Sequence, residues 1–423
     1  MKNKISKTAL LLTAAMTLSA CGKGEISNPI MAEKEKPGDA NTNTNKPSKD
    51  EEVKDVDVKE LTAKAEEFSS ENITDVFKYK FNKNPDASFV YSPYSHLSCV
   101  NILNKYMKMT DDNYLNKFNN CDYSKLSVAN TKSDNLLIVK RKSDEDTDFD
   151  EVQFADFPEE AELKSKDLQK AFFGEELLEP DYSDPDISAV AINVIRFLGL
   201  WREVFDKGNT SKEDYTLLNG DTIKTDMMHS DDLSKDNPIA YEDDEVQIYR
   251  KPVKDESRGK NDDVSSNVYL IMPKDSKNVT KIGENISDYI SKYENEGKSY
   301  GKVFLSMPKI SLKSKSDLKK IAKGANKNYV DLSYKFNDKF KNRENDDLQI
   351  SSIQQVATLD IDESKVEGKA ITEAAIELTS LAPGYDSIFT MNIDKPFFVV
   401  VSAKTGEKDV VTFMAYVNNP NNK

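Results

Sequence analysis

The chain has 423 residues, of which 37% are hydrophobic and 31% are charged, and its formal net charge is −15 at pH 7. This length is too great for a small module and suits one large domain or two ordinary ones. The negative charge argues against nucleic-acid binding, because neutralising phosphates requires clustered lysine and arginine side chains.

Residues 1–57 are predicted to be a signal peptide followed by a tether. Lysines precede a short apolar stretch, Thr8 to Leu18, which is too short for a permanent membrane span and is typical of an export signal. Leu18-Ser19-Ala20-Cys21 resembles the bacterial lipobox, which implies removal of residues 1–20 and a lipid on the Cys21 thiol. An ordinary signal peptide with an incidental cysteine is the alternative. Residues 21–57 contain no aromatic side chain and few large apolar ones, so we expect a disordered tether.

The remaining residues, 58–423, are predicted to mix helices and strands. Apolar spacing predicts helices at Leu61–Phe81, from Pro93 with Ser92 as N-cap, at Glu159–Phe173 and at Leu318–Ala325. The predicted strands are Phe89–Tyr91, Leu126–Asn130, Leu136–Val139, Ile187–Leu200, Val246–Arg250, Val268–Met272, Gly301–Leu305, Val356–Ile361, Phe397–Ser402 and Val410–Val417. Helices come mostly early and strands mostly late, without regular βαβ alternation, which favours an α+β fold.

The sequence gives little support for catalysis or metal binding. Only His96 and His229 could serve as the base of a Ser-His-Asp or Cys-His hydrolase, and His96 lies at a predicted helix start, where packing or capping is commoner. The alternate carboxylates from Asp144 to Asp150 lack the turn glycine and closing glutamate of a calcium loop. We therefore expect no catalytic residue, no metal and no cofactor. Cys99 is predicted to be a buried thiol, with a Cys99–Cys121 disulfide as the alternative.

Several segments resemble the serpin family of serine-protease inhibitors, and they occur in the family's order. Phe89–Ser95 is similar to the strand and helix start that hold the family's "shutter" serines, here Ser92 and Ser95. Ala191–Trp201 resembles the motif Asn-Ala-x-Tyr-Phe-Lys-Gly-x-Trp, which implies that Asn193 is the shutter asparagine and Trp201 the "breach" tryptophan.

The resemblance continues through Met307-Pro308-Lys309, Asp394–Phe397 and Thr412–Pro420, and it spans roughly residues 60–420. It implies a single domain over 58–423, with three β-sheets, about eight helices and an exposed reactive-centre loop at about 363–390. Gln355 stands at the shutter histidine position, where it can hydrogen-bond Asn193 but cannot become charged. The family's usual hinge sequence is absent as written, and the corresponding segment here begins at Glu363.

The loop segment nevertheless has the alternation of a β-strand. In the family, the cleaved loop becomes a central strand of the main sheet, and side chains on a strand alternate between its two faces. One set of residues is small or apolar and includes Val366, Gly368, Ala370 and Thr372, whereas the interleaved set is mostly charged or polar. An amphipathic helix is the alternative, because the same residue types favour helices. We expect the strand.

The scissile bond is predicted at Thr379–Ser380 by counting forward from Ile361 with the family's usual spacing. Counting backward from Phe397 gives Tyr385–Asp386, so the loop is longer than usual. The bonds after Leu378 and Leu381 are near alternatives. A Leu-Thr-Ser-Leu sequence suits an elastase-like or subtilisin-like protease rather than a trypsin-like one.

The resemblance implies a monomeric inhibitor that traps a serine protease as a covalent acyl-enzyme. We expect it outside the cytoplasm, attached to the cell membrane or outer membrane by its lipid alone, or shed from it. A serpin-fold protein that binds at the surface without inhibiting is the strongest rival. A lipid-anchored hydrolase and a solute-binding lipoprotein are weaker ones.

Overall fold

The computed structural model describes residues 58–109, 114–118, 123, 126, 128–177, 179–232, 238–255, 264–327, 333–340, 343, 346–349, 352–366, 387–405 and 409–421. These residues form six α-helices and 21 strands in three sheets, which confirms the α+β class. The described helices number six, compared with the expected total of about eight. None of them is long and apolar enough to cross a membrane.

The α-helices are α1 (Val58–Lys83), α2 (Pro93–Tyr106), α3 (Glu159–Phe173), α4 (Val279–Glu284), α5 (Ile286–Glu296) and α6 (Leu318–Gly324). The strands of the first half are β1 (Phe89–Tyr91), β2 (Met107–Met109), β3 (Thr131–Lys140), β4 (Val152–Ala155), β5 (Ala189–Phe197), β6 (Gly199–Trp201), β7 (Ser211–Thr216), β8 (Thr222–Asp232), β9 (Ile239–Glu242) and β10 (Val246–Asp255). Those of the second half are β11 (Val264–Pro273), β12 (Lys298–Ser299), β13 (Lys302–Pro308), β14 (Ile310–Asp317), β15 (Ser333–Phe336), β16 (Asp347–Gln349), β17 (Ser352–Ile361), β18 (Lys365–Val366), β19 (Ile388–Asn392), β20 (Phe397–Lys404) and β21 (Asp409–Val417).

Helix α2 begins where its sequence predicts. Ser92 has an extended backbone, and its hydroxyl accepts the N–H of Ser95 at 3.1 Å, while Pro93 occupies the first turn, where a missing N–H costs nothing. Helices α1 and α2 bury their apolar faces, including Phe68, Phe77 and Leu97, in one core cluster with residues of β20 and β21. The packing of α1 and α2 in this cluster therefore positions the start of α2 in the interior of the molecule.

Two strand predictions are wrong at Asn130 and Leu198. Ala129 and Asn130 form a turn, in which Asn130 has a φ of 59°, so the predicted strand at Leu126–Asn130 is absent from the described residues there. The Asn130 amide donates to the carbonyls of Leu198 and Lys254. The N–H of Leu198 also donates to the Asn130 carbonyl, and the predicted strand Ile187–Leu200 is interrupted there, dividing β5 from β6. A tertiary contact with Asn130 thus divides this mostly apolar stretch into two strands.

The largest sheet has 14 strands and contains the region that the resemblance assigns to loop insertion. Its main path is β1-β21-β20-β11-β10-β6-β18-β17-β5-β3-β4, with β14 beside β17, β9 beside β10 and β12 beside β9. A 4-stranded sheet, β19-β13-β8-β7, contains the strand that follows the loop in sequence. The third sheet is β16-β15-β2.

The acidic run near residue 146 stabilises a loop. The Asp146 carboxylate accepts the N–H groups of Lys142 and Ser143 and pairs with the buried Arg343 guanidinium at 3.2 Å. The Asp148 carboxylate accepts the N–H of Phe154 at 2.8 Å. Among the residues described, no group of acidic, histidine or cysteine side chains is arranged to hold a metal ion.

Candidate functional site

The candidate site is the seam between β5 and β17 in the large sheet. These two strands run parallel and pair directly from Val190–Ser352 to Arg196–Thr358. Beyond the end of β17 the chain turns at residues 362–364 and returns as β18, which pairs antiparallel with both β17 and β6. Because β6 continues the course of β5, β18 lies in line with the seam. The first residues of the loop segment therefore already occupy a strand position between its two sides.

The register of β18 places Val366 opposite two positions of the apolar core. Its partners are Ile361 on β17 and Gly199 on β6. Ile361 is buried, and a Cβ atom at Gly199 would lie 2.3 Å from Val253 and 2.8 Å from Phe197. No side chain fits at Gly199, because the side chains of Val253 and Phe197 pack against this position. The end of the seam where β18 lies is called its upper end.

Trp201 is buried at this upper end, where it fastens the turn before the loop. Its indole N–H donates to the carbonyl of Asp362 at 2.9 Å, and its backbone N–H donates to the carbonyl of Ser364. The ammonium group of the buried Lys251 lies 5.8 Å from the Trp201 ring and 4.8 Å from the Phe205 ring. Such cation–π contacts are favourable where water is excluded. The breach tryptophan predicted from the resemblance thus contacts the loop's attachment point.

Glu363, in the same turn, is buried and makes an ion pair with Lys309. Its carboxylate lies 2.6 Å from the ammonium of Lys309 and accepts the Thr210 hydroxyl at 2.8 Å, and its side chain is only 6% exposed. Burial opposes ionisation of Glu363. The hydrogen bonds from Lys309, from the backbone and from Thr210 outweigh this effect, so the pKa of the carboxyl is lowered. The turn is therefore tied through Glu363 to the start of β14 and to the segment before β7.

A second polar cluster joins α2 to the seam near its middle. Gln355 of β17 is completely buried, and its amide accepts the N–H of Ser92 at 3.0 Å and donates to the carbonyl of Ser92 at 2.7 Å. The Ser92 hydroxyl donates to the Thr412 carbonyl on β21. The side chain of Gln355 could also have hydrogen-bonded Asn193, which is opposite it in the sheet, but it bonds the backbone of Ser92 instead.

Asn193 connects the other side of the seam to α2 and β3. Its side-chain oxygen accepts the Ser95 hydroxyl, and its side-chain N–H groups donate to Ser133 at 2.7 Å and Asn135 at 2.8 Å. Buried polar groups need such partners, because each group left unsatisfied costs about 1–3 kcal/mol. Ser92 and Ser95, three residues apart at the start of α2, thus hold β17 and β5 respectively.

Of the predicted site residues, Ser92, Ser95, Asn193, Gln355, Trp201 and Glu363 are described, and all of them adjoin the seam. Val366 is described as the last residue of β18. Gly368, Ala370, Thr372, Leu378, Thr379, Ser380, Leu381, Tyr385 and Cys21 lie outside the described residues. Among the partners of these residues, Lys309 was marked in the sequence only as part of a motif, and Ser133 and Asn135 were not indicated at all.

His96 and Cys99 of α2 are both buried in the core. His96 is buried beside Phe68, and its Nδ1 lies 2.9 Å from the Tyr91 hydroxyl. Burial, with a smaller effect of the nearby Lys327 charge, lowers the pKa of His96 to about 3, so it is neutral at physiological pH. The expected packed role is confirmed for His96. Cys99, also buried, is a free thiol, whereas Cys121 lies outside the described residues.

Comparison with known proteins agrees with this geometry. A profile of the family described as "Serpin (serine protease inhibitor)" matches residues 146–420. The chain is 25% identical to Antichymotrypsin-2 of Bombyx mori over 231 residues, which are 53% of this chain and 57% of that protein. The chain spans about half the length of the curated relatives it matches first.

Solved structures show the same fold over a larger share of the chain. The native state of Tengpin, a thermophilic serpin, has a TM-score of 0.65 at 16% identity and covers 86% of this chain and 95% of its own. Human thyroxine-binding globulin complexed with its ligand has a TM-score of 0.63 at 16% identity and covers 86% of this chain and 100% of its own. At this level of identity the likeness concerns the fold alone.

These observations define an α+β protein whose main sheet has a closed seam. The seam is fastened by Trp201 and by the buried polar clusters, and a further strand begins at its upper end. The chain belongs to the serpin family.

Proposed function

We propose that this protein inhibits a serine protease by inserting its cleaved loop between β5 and β17. The observation that carries the proposal is the position of β18, antiparallel to both of its neighbours and in line with the seam. A strand that continued from Val366 in the same direction would run down the seam antiparallel to β5 and β17. Family membership supports the same conclusion.

Insertion would replace one ladder by two. The parallel pairs between β5 and β17 would be lost, and each of these strands would gain an antiparallel partner. Each net ladder hydrogen bond contributes on the order of 1 kcal/mol, and antiparallel pairing is slightly more stable per residue than parallel pairing. The uncleaved form is thus kinetically stable, and its lifetime depends on the barrier to opening the seam.

The chemistry is supplied by the target protease. Its serine attacks the carbonyl of Thr379 and forms an acyl-enzyme with the new chain end. Insertion of about 14 residues, at ~3.3 Å per residue, moves the attached enzyme by roughly 45 Å. The displaced enzyme then cannot complete hydrolysis. The inhibitor acts as a monomer, and Thr379–Ser380 suits an elastase-like or subtilisin-like target.

The direct test is incubation of the purified protein with a panel of serine proteases. We expect a complex with an elastase-like or subtilisin-like enzyme that resists SDS, together with a released C-terminal peptide that begins at Ser380. A peptide beginning at Asp386 would support the backward count. Cleavage without any complex, and without a rise in the melting temperature of the cleaved protein, would refute the inhibitor function.

A non-inhibitory serpin that binds a small molecule is a second candidate function. A cavity of about 940 Å³ lies between α1, α5 and the strands β9, β10 and β11, and its lining includes Ile73, Tyr249, Lys251, Tyr269 and Tyr293. A cavity of this size, with aromatic walls and a few charged groups, is typical of small-molecule sites. Thyroxine-binding globulin, a structural neighbour, was solved with a ligand. A ligand-induced melting shift without protease inhibition would favour this function.

A further inference from the structure

A serine, a histidine and a glutamate meet on the 4-stranded sheet, away from the seam. Ser306 on β13 is opposite His229 on β8, and its hydroxyl oxygen lies 2.8 Å from His229 Nδ1. His229 Nε2 lies 2.6 Å from Glu213 Oε1 on β7. Three neighbouring strands thus supply a continuous hydrogen-bonded chain from a hydroxyl through an imidazole to a carboxylate.

The partners of His229 determine its tautomer. A carboxylate only accepts hydrogen bonds, so in the neutral form of the imidazole Nε2 is the nitrogen that carries the proton, and Nδ1 is then the acceptor of the Ser306 hydroxyl. The hydroxyl of Ser211, 2.6 Å from Glu213 Oε1, and the nearby His229 lower the pKa of the Glu213 carboxyl against the opposing effect of burial. A neutral imidazole whose free nitrogen faces a hydroxyl is the arrangement that general-base activation of a serine requires.

The cluster is open to small molecules. The side chains of His229 and Glu213 are 35% and 37% exposed. Asn392, the partner of Ser306 on the parallel strand β19, has an exposed side chain whose amide lies 3.5 Å from a carboxylate oxygen of Asp394. Side chains directly opposite in a sheet lie about 5 Å apart on the same face. The Asn392 amide is therefore a hydrogen-bond donor beside the Ser306 hydroxyl.

We propose that Ser306, His229 and Glu213 form a hydrolytic triad that accepts the acyl group of a short-chain ester, with Asn392 as a donor to the developing oxyanion. This activity is independent of the loop. Phe304, two residues before Ser306 on the same face of β13, provides half-buried aromatic surface for the acyl chain. An ester suits an open sheet surface better than a peptide does, because its alcohol leaves readily without an enclosing cleft.

The reaction has two balanced steps. Ser306 Oγ bonds to the ester carbonyl carbon while its proton passes to His229 Nδ1. The ester C–O bond then breaks, and the alcohol leaves with that electron pair and the proton from the imidazolium. In the second step water attacks the acyl-serine, His229 takes a proton from the water, and the carboxylic acid leaves as Ser306 regains its proton. Glu213 holds the imidazole and stabilises its positive charge in both steps.

The test measures hydrolysis of p-nitrophenyl butyrate by the full chain and labelling by a fluorophosphonate, followed by peptide mass spectrometry. We expect the label on Ser306. We also expect kcat/KM to fall by about 100-fold in Ser306→Ala and His229→Gln, as for loss of a nucleophile or general base. Ser311→Ala is the matched control, because Ser311 is a half-buried strand serine on β14 that is not bonded to a histidine, and it should retain wild-type rates.

An exposed imidazole can hydrolyse activated esters without a serine, and this is the outcome that would overturn the proposal. In that case Ser306→Ala would keep its activity, and the fluorophosphonate would not label Ser306. Glu213→Gln preserves the size of the side chain and guards against misfolding of the other variants. If its thermal unfolding matches wild type and its hydrolysis is unchanged as well, the carboxylate does not support a triad.

Discussion

Glu363 carries a buried charge in the turn that connects β17 to β18, at the start of the loop. Replacing it with glutamine removes the charge but keeps the shape and the contact with Thr210. Since Lys309 is 39% exposed and can be rehydrated, we expect Glu363→Gln to lower the free energy of unfolding by about 1–3 kcal/mol. Denaturant unfolding of Glu363→Gln, Lys309→Met and the double variant measures the coupling. Additive effects would show that the ion pair contributes nothing.

The same residue predicts a dependence on pH. Because the folded pKa of Glu363 lies below its ordinary value of 4.5, its ionised form stabilises the fold above pH 4.5, and this contribution is lost as the pH falls through the folded pKa. The difference in unfolding free energy between wild type and Glu363→Gln should therefore be constant near neutral pH and shrink in acid. A difference that stays constant down to pH 3 would contradict the assignment.

Gln355 holds the backbone of Ser92 at the centre of the molecule. Gln355→Ala would leave the buried N–H and carbonyl of Ser92 without their side-chain partner and create a small cavity, so we expect a loss of about 2–4 kcal/mol. The neighbouring Gln354 is half-buried and points to the other face of β17, which makes Gln354→Ala a matched control. Similar losses for the two variants would mean that the Ser92 contacts are energetically unimportant.

At the scale of the element, insertion between β5 and β17 requires the loop to have one face that can be buried, as the alternation of its residues predicts. Val366 is opposite core positions on both of its neighbours, and a strand that continued from it would bring Thr372 to the same face by alternation. A charged side chain on that face would be buried without a partner, at a cost of several kcal/mol. We expect Val366→Arg and Thr372→Arg to be cleaved at the normal rate but to form little SDS-resistant complex.

Glu367→Arg is the control for this pair, since it alters the opposite face of the same segment. It should inhibit nearly as well as wild type in the same gel assay with the same protease. If all three variants lose inhibition equally, the alternation is accidental, and insertion in this register has to be abandoned.

At the scale of the whole molecule, we propose that the protein is held at a bacterial membrane by a lipid on Cys21. The lipobox-like tetrad and the following tether motivate this proposal. We expect Cys21→Ser to abolish incorporation of labelled fatty acid and to move the protein from the membrane fraction to the soluble fraction. Ser19→Thr, a small change inside the tetrad that keeps the cysteine, should remain at the membrane. Unchanged partitioning of Cys21→Ser would show that the stretch is not a lipidation signal.

The sequence by itself determined the elements whose signals are local. Helix α3 coincides with its predicted range, β1 also does, and the N-cap of α2 is at Ser92, because apolar periodicity and capping depend on residues close together in the chain. The family and the α+β class were also accessible, since ordered motifs survive at low identity. Helices α4 and α5 were missed, because they are short and follow one another with only Asn285 between them.

Only the tertiary structure decided which residues act together. The partners of Gln355 and Glu363 come from segments far away in sequence, and no local pattern encodes a hydrogen bond to Ser92 or an ion pair with Lys309. The break at Leu198 depends on Asn130, 68 residues earlier. Likewise the sequence did not associate His229 with Ser306 or Glu213, because the three side chains meet only when three strands pair. Sheet pairing is a long-range interaction, and its register is set by packing of the whole domain rather than by its neighbours in the chain.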